Sequence, residues 1–169
     1  MQEGLVPWAL DGAAPGARVL EIGPGYGAAT ELLAERVAHL TCVEIDGALA
    51  SDLAARFAGR DIVVRHADAT ALEDAAGTYD TALCFTMLHH VPRADLQDRL
   101  FCEVARVLRP GGVFAGTDTV ASLPLRLLHL RDTCVPLDPA TVPDRLRAAG
   151  FRDARVDVRR HTFRFRAVR

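Results

Sequence analysis

The sequence predicts an α/β chain: a three-layer sandwich around a mostly parallel seven-stranded sheet that ends in an antiparallel β-hairpin. Three observations carry this expectation. Short apolar runs rich in Val, Ile and Leu alternate with segments of helical periodicity, the first run stops at an acid and three alternate glycines, and two alternating runs close the chain. Continuous apolar runs suit parallel strands covered on both faces, and strands joined through helices pair in one right-handed parallel sheet.

The first strand is read in VLEIGPGYG, residues 19 to 27, where Val19, Leu20 and Ile22 lead into Gly23, Gly25 and Gly27. Glycines there remove Cβ atoms that would block a ligand. The following helix, residues 28 to 37, aims its first N–H groups at the turn and favours an anionic group there. LTCVEI (40 to 45) is the second strand. Residues 47 to 58 make a helix on the spacing of Leu49, Leu53 and Phe57. Strand three holds Ile62, Val63 and Val64 and runs into HADAT (66 to 70), and residues 71 to 77 form a small connection. Strand four is YDTALCF (79 to 85), followed by the loop TMLHHVP (86 to 92).

Residues 94 to 108 form an amphipathic helix with Leu96, Leu100 and Val104 on one side. LRPGG (108 to 112) should end it in a turn before strand five, Val113 to Asp118. A short N-terminal helix around Trp8, another helix over 142 to 149, and VDV (156 to 158) with FRF (163 to 165) as the edge hairpin complete the plan. Residues 119 to 139, rich in leucine and proline, stand out as a candidate cover segment on the substrate side.

At 169 residues the chain suits one domain, residues 1 to 169, and its net charge of −2 predicts no general attraction to nucleic acid or anionic membranes. No apolar stretch has the length of a membrane span and the opening residues lack a signal-peptide pattern, so the cytoplasm is the expected compartment. Cys42, Cys84, Cys102 and Cys134 form no C-x-x-C and are expected to be reduced. The chain has no lysine, which excludes a G-K-[ST] phosphate loop, a lysine Schiff base and a Tyr-x-x-x-Lys pair. No H-E-x-x-H or carboxylate cluster suggests a metal.

The glycine turn alone is ambiguous. Gly23, Gly25 and Ala28 satisfy a dinucleotide fingerprint, whereas Glu21 with the three glycines spells E-x-G-x-G-x-G. Five parallel strands, that motif, an acid at the end of strand two, HADA after strand three and a terminal hairpin together resemble the class I S-adenosylmethionine-dependent methyltransferases, whose fold is Rossmann-like. The likeness runs from about residue 17 to the C-terminus. It implies S-adenosyl-L-methionine as cofactor, with Glu21, Gly23, Gly25 and Gly27 in the loop that holds the methionine part. Glu44 would accept from both ribose hydroxyls, Ile45 would pack on adenine, and Asp68 with the Ala69 N–H would meet the adenine edge. Thr86 and Leu88 complete the expected cofactor contacts. A carboxylate offers two acceptors to the two donors of a vicinal diol, which makes Glu44 sensible on its own chemistry. Asp68 suits a helix N-cap as well. A dinucleotide explains Glu44 about equally, but not Asp68, the hairpin or the missing catalytic half.

Methyl transfer needs alignment and exclusion of water more than covalent help. His89 or His90 in TMLHH could deprotonate an acceptor, with Asp118 and His129 as weaker candidates. The [DNS]-P-P-[YF] motif of enzymes acting on adenine or amide nitrogens is absent, its place held by Phe85, Thr86, Met87 and Leu88. A small-molecule acceptor is therefore expected and nucleic acid is not, with a homo-oligomer left open. The alternatives are a catalytically silent cofactor-binding subunit of a larger assembly, and an RNA or protein methyltransferase using the arginine-rich C-terminus.

Overall fold

The computed structural model describes residues 7–9, 15–121 and 134–169. The chain runs β1 (Arg18–Ile22), α1 (Ala28–Ala34), β2 (His39–Glu44), α2 (Gly47–Arg56), β3 (Ile62–His66), β4 (Tyr79–Phe85), a 3-10 turn (Leu88–His90), α3 (Ala94–Val107), β5 (Leu108–Thr119), α4 (Val142–Ala148), β6 (Arg152–Arg159) and β7 (Thr162–Val168). The seven strands lie in the order β3-β2-β1-β4-β5-β7-β6. The first five are parallel, and β7 runs antiparallel to both β5 and β6. The chain order reverses between β1 and β4, the switch point at which open α/β sheets place their ligands.

The period-2 alternation of each strand sorts its side chains between two cores. Leu20, Ile22, Ala82, Cys84 and Phe114 face one side, where α3 supplies Leu100, Phe101 and Val104 and α4 supplies Leu146. Val19, Leu83, Phe85 and Ala115 face the other, against Leu33 of α1 and Leu53 of α2. Helix α2 starts where Asp46 Oδ1 accepts from the N–H groups of Ala48 and Leu49, at 2.8 and 3.1 Å. This side-chain cap fixes the chain direction immediately after the acid that ends β2.

LRPGG departs from the turn expected of it. Leu108 pairs with Tyr79 and the register shifts before Val113 meets Thr81, so these residues form an irregular start to β5. Gly111 adopts φ 80°, and its N–H reaches Arg169 O at 2.9 Å, so paired glycines and proline make a bulge here. At the N-terminus, residues 7–9 make one helical turn, and the Trp8 ring meets the guanidinium groups of Arg159 and Arg164 of the hairpin, 4.6 and 5.5 Å from its centre. No helix among the described residues is long and apolar enough to cross a membrane. Leu123, Leu125, Leu127, Leu128, His129 and Leu130, expected as cover-segment or site residues, lie outside the described residues.

Candidate functional site

At the carboxyl ends of β1, β2, β3 and β4 opens a cavity of about 670 Å³. Gly23, Gly25, Glu44, Ile45, Asp68, Ala69, Thr86 and His90 line it, over an apolar base that includes Ile22, Val43, Leu96 and Leu100. A set of chain segments far apart in sequence thus converges on one space.

The three glycines of the first turn all have positive φ, but they serve different ends. A Cβ on Gly25 would meet nothing within 4 Å, so this position opens directly to the cavity. A Cβ on Gly23 would come within 2.9 Å of Met87 Cε, and one on Gly27 would collide with Arg56 Nη2 and lie 2.5 Å from Leu53 Cδ1. Gly23 therefore seats Met87, and Gly27 lets α2 close on the turn. Gly27 does not line the cavity; the sequence placed it with Gly23 and Gly25 in the ligand loop, and here its missing Cβ makes room for Arg56 and Leu53 of α2.

Glu44 is almost wholly buried and already ordered by the backbone. Its Oε2 accepts from Gly25 N at 2.9 Å and its Oε1 from Asp46 N at 3.0 Å, which leaves each oxygen a further lone pair. Beside it Ile45 is 68% exposed, a large aliphatic side chain held at the cavity without a protein partner to cover it. Asp68 does act as a cap, with Oδ1 accepting from Thr70 N at 2.8 Å. Its Oδ2 and the neighbouring Ala69 N–H have no partner among the described residues, so an acceptor and a donor lie side by side at the wall.

Thr86 follows β4 in the left-handed region, φ 51°, where a β-branched residue costs about 1–3 kcal/mol. Its N–H donates to Thr117 O at 2.7 Å and its Oγ1 to Phe85 O at 2.8 Å, and these bonds hold the turn that sends Met87 and His90 to the cavity.

Three expected residues lie elsewhere. Glu21 is fully buried on the α1 side of the sheet, paired in register with Cys42; its Oε2 accepts from Thr30 Oγ1 at 2.7 Å and lies 3.5 Å from Cys42 Sγ. Burial pushes its carboxyl up to about 7; the Thr30 and Cys42 hydrogen bonds oppose that rise and the Glu44 charge adds to it. Burial, with Glu21 adjacent, also raises the Cys42 thiol. Leu88 packs in the core with Leu100 and Phe101 and does not reach the cavity. His89 is buried as well. Its Nδ1 lies 2.5 Å from Asp118 Oδ1, and its N–H donates to Asp118 Oδ2 at 3.2 Å. Of the two histidines, His90 is the one that lines the cavity, with its ring 4.2 Å from that of His89.

Asp118, expected only as a weaker candidate base, is fully buried as the partner of His89. Gln97, which nothing in the motifs singled out, is buried in the apolar stripe of α3. The signal for Gln97 was present: it stands at helical spacing from Phe101 and Val104, where an apolar residue is expected. Among the described residues no group of three His, Cys, Asp or Glu converges as a metal site would require.

A methyltransferase-domain family profile matches residues 20–116. A Deinococcus radiodurans ribosomal RNA small subunit methyltransferase A is 48% identical over 136 residues, covering 72% of this chain and 47% of that protein. A probable S-adenosylmethionine-dependent methyltransferase of Mycolicibacterium smegmatis is 31% identical over 147 residues, 80% of this chain and 52% of that protein. The chain thus spans about half the length of these two relatives. Among solved structures, an S-adenosylmethionine-dependent methyltransferase from Mesorhizobium loti superposes with a TM-score of 0.76 at 19% identity, covering 95% of this chain and 100% of that one. With more than half of its length under the family profile and its sheet ending in the reversed strand, the chain belongs to the class I S-adenosylmethionine-dependent methyltransferases.

Proposed function

We propose that this chain transfers a methyl group from S-adenosyl-L-methionine to a small-molecule acceptor bound in the cavity. The carrying observation is the side-by-side placement of an open Gly25, a pre-ordered Glu44, an exposed Ile45 and the unpartnered Asp68 Oδ2 and Ala69 N–H around one space. These groups fit an adenosine with a short tail: acceptors for the ribose diol, an apolar face for the base, an acceptor and a donor for its edge. The cofactor, when bound, supplies an electrophilic methyl on a sulfonium. Glu44 orients the sugar, Asp68 and Ala69 read the base, and Gly25 lets the tail pass close to the backbone. Glu21 ties β1 to α1 through Thr30 and does not line the cavity.

The acceptor side falls to Thr86, Met87 and His90. His90 is the side chain placed to take a proton from an attacking hydroxyl or amine, whereas His89 is committed to Asp118. A cavity of about 670 Å³ lies within the range of ~300–1,000 Å³ common for small-molecule sites. Its apolar base of Ile22, Leu96 and Leu100 suits an acceptor with an apolar body.

A second reading has one observation in its favour: the Deinococcus relative is a ribosomal RNA methyltransferase. Against it, several arginines outside the site are engaged within the protein, Arg145 with Asp98, Arg147 with Asp144, Arg164 with Asp157 and Arg109 with Asp80. The discriminating assay supplies methyl-labelled S-adenosylmethionine with either an ultrafiltered metabolite extract or purified ribosomal RNA. We expect label in the metabolite fraction. Label in the RNA alone overturns the small-molecule reading, and cofactor binding with no transfer to any fraction favours a catalytically silent subunit.

A further inference from the structure

We propose that Gln97 is a positioning residue for the acceptor side of the site, tying the turn that carries His90 to the segment around Val135 that leads into α4. The inference rests on the methyltransferase reading and adds a residue to it.

Gln97 closes the first turn of α3 and is 1% exposed, on the same stripe as Leu100, Phe101 and Val104. An amide in that position loses its water and must find partners, whereas a leucine would pack with no such demand. It finds all of them. Nε2 donates to Leu88 O at 3.1 Å and to Val135 O at 2.9 Å, and Oε1 accepts from Arg145 Nη2 at 3.0 Å. Arg145 is itself held by Asp98 Oδ1 at 2.7 Å and Ala94 O at 2.9 Å, so the acceptor end of the amide is fixed to the surface of α3.

The two carbonyls that Nε2 joins are informative. Leu88 O belongs to the 3-10 turn whose last residue, His90, lines the cavity, and Val135 O belongs to the segment that leads into α4. These segments also meet directly, because Val135 N donates to His89 O at 2.7 Å. Gln97 therefore adds a second tie to the backbone bond that already joins the two segments. On its opposite side the turn is held by Asp118, through the His89 ring and N–H. Two buried polar side chains from α3 and β5 clamp three residues of turn, and neither lines the cavity. The arrangement sets where His90 stands without touching what His90 meets. Cofactor contacts at Glu44 and Asp68 lie on the other flank and make no bond to this network.

The test uses the whole chain and two substitutions. Gln97→Met keeps the volume and removes every hydrogen bond, whereas Gln97→Glu keeps a partner for Arg145 and removes both donors. For both, hydrogen exchange followed by NMR should show the Val135 and Val91 amides exchanging at least about tenfold faster, with Val104 and Val107 in the same helix unchanged. The His90 imidazole resonances should move in both variants, which a role in filling volume alone would not produce for Gln97→Met. S-adenosylhomocysteine, as calorimetric probe, should bind each variant within about twofold of the parent.

Unchanged Val135 protection and unmoved His90 signals in Gln97→Met overturn the proposal. Should the variants fail to fold, the parent protein still decides: the Gln97 side-chain amide protons should exchange slowly and show cross-relaxation to Val135, and rapid exchange without that contact overturns it. If S-adenosylhomocysteine does not bind the parent, the methyltransferase reading falls, while the exchange data still judge the bridge.

Discussion

The two flanks of the cavity are built by different means. On the β1–β2 side, Glu44, Gly25 and Asp46 lie within a short sequence interval or in adjacent strands, and the carboxylate is ordered by the backbone N–H groups it faces. On the β4–β5 side, the turn that ends in His90 is held through His89 and Leu88, by Asp118 from the end of β5 and Gln97 from α3. One flank is a local motif and the other a set of long-range buried polar bonds. Substitutions on the first should weaken cofactor binding with the fold intact, and those on the second should disturb the turn or its chemistry while leaving cofactor affinity alone.

The largest effect expected separates the two histidines. With an acceptor found by the labelled-methyl screen, His90→Ala should slow transfer by about 10²–10⁴-fold with little loss of stability, as for removal of a general base. His89→Ala should instead destabilise the chain by about 3 kcal/mol in denaturant unfolding, because it takes the imidazole from the buried Asp118 carboxylate and leaves only backbone N–H groups to it. Equal stability losses for the two variants would erase the distinction between the flanks.

Next comes the buried acid beneath the glycine turn. The Glu21 carboxyl moves from 4.5 to about 7 on folding, mainly through burial, so the folded chain holds a proton that the unfolded chain releases. From this group, stability is greatest below about pH 4.5, falls as pH rises toward about 7, and levels off above, a change of about 3 kcal/mol. Glu21→Gln should remove that slope, and a pH–stability profile identical to the parent's would show that Glu21 does not titrate in this window.

A smaller contrast lies within the glycine turn. Gly27→Ala should cost about 2–3 kcal/mol, since its Cβ meets Leu53 and Arg56 at a positive φ. Gly25→Ala should cost only about 1 kcal/mol, from its backbone conformation, because the space around it is open. The order should reverse for binding of S-adenosylhomocysteine, where Gly25→Ala is the more damaging.

The same contrast explains what the sequence revealed. The parallel strands, the hairpin and the acid at the end of β2 were legible because periodicity and glycine spacing are local. Glu21 shared the parity of Val19 and faced the helix side with it, a signal already present in the strand's alternation. LRPGG is ambiguous by sequence because proline and paired glycines serve a bulge as well as a turn, and the pairing of Leu108 with Tyr79 decides between them. The His89–Asp118 and Gln97–Val135 contacts span 29 and 38 residues, and no local pattern encodes which buried polar group will find which carbonyl.

The most direct measurement of the central claim is calorimetric titration of the chain and of Glu44→Ala with S-adenosylhomocysteine and with NAD. Two charge-assisted hydrogen bonds to a ribose diol should make the parent bind S-adenosylhomocysteine at least about 100-fold more tightly than the variant, with no heat from NAD. Binding of NAD by the parent, or equal affinity of the two proteins for S-adenosylhomocysteine, would contradict the account.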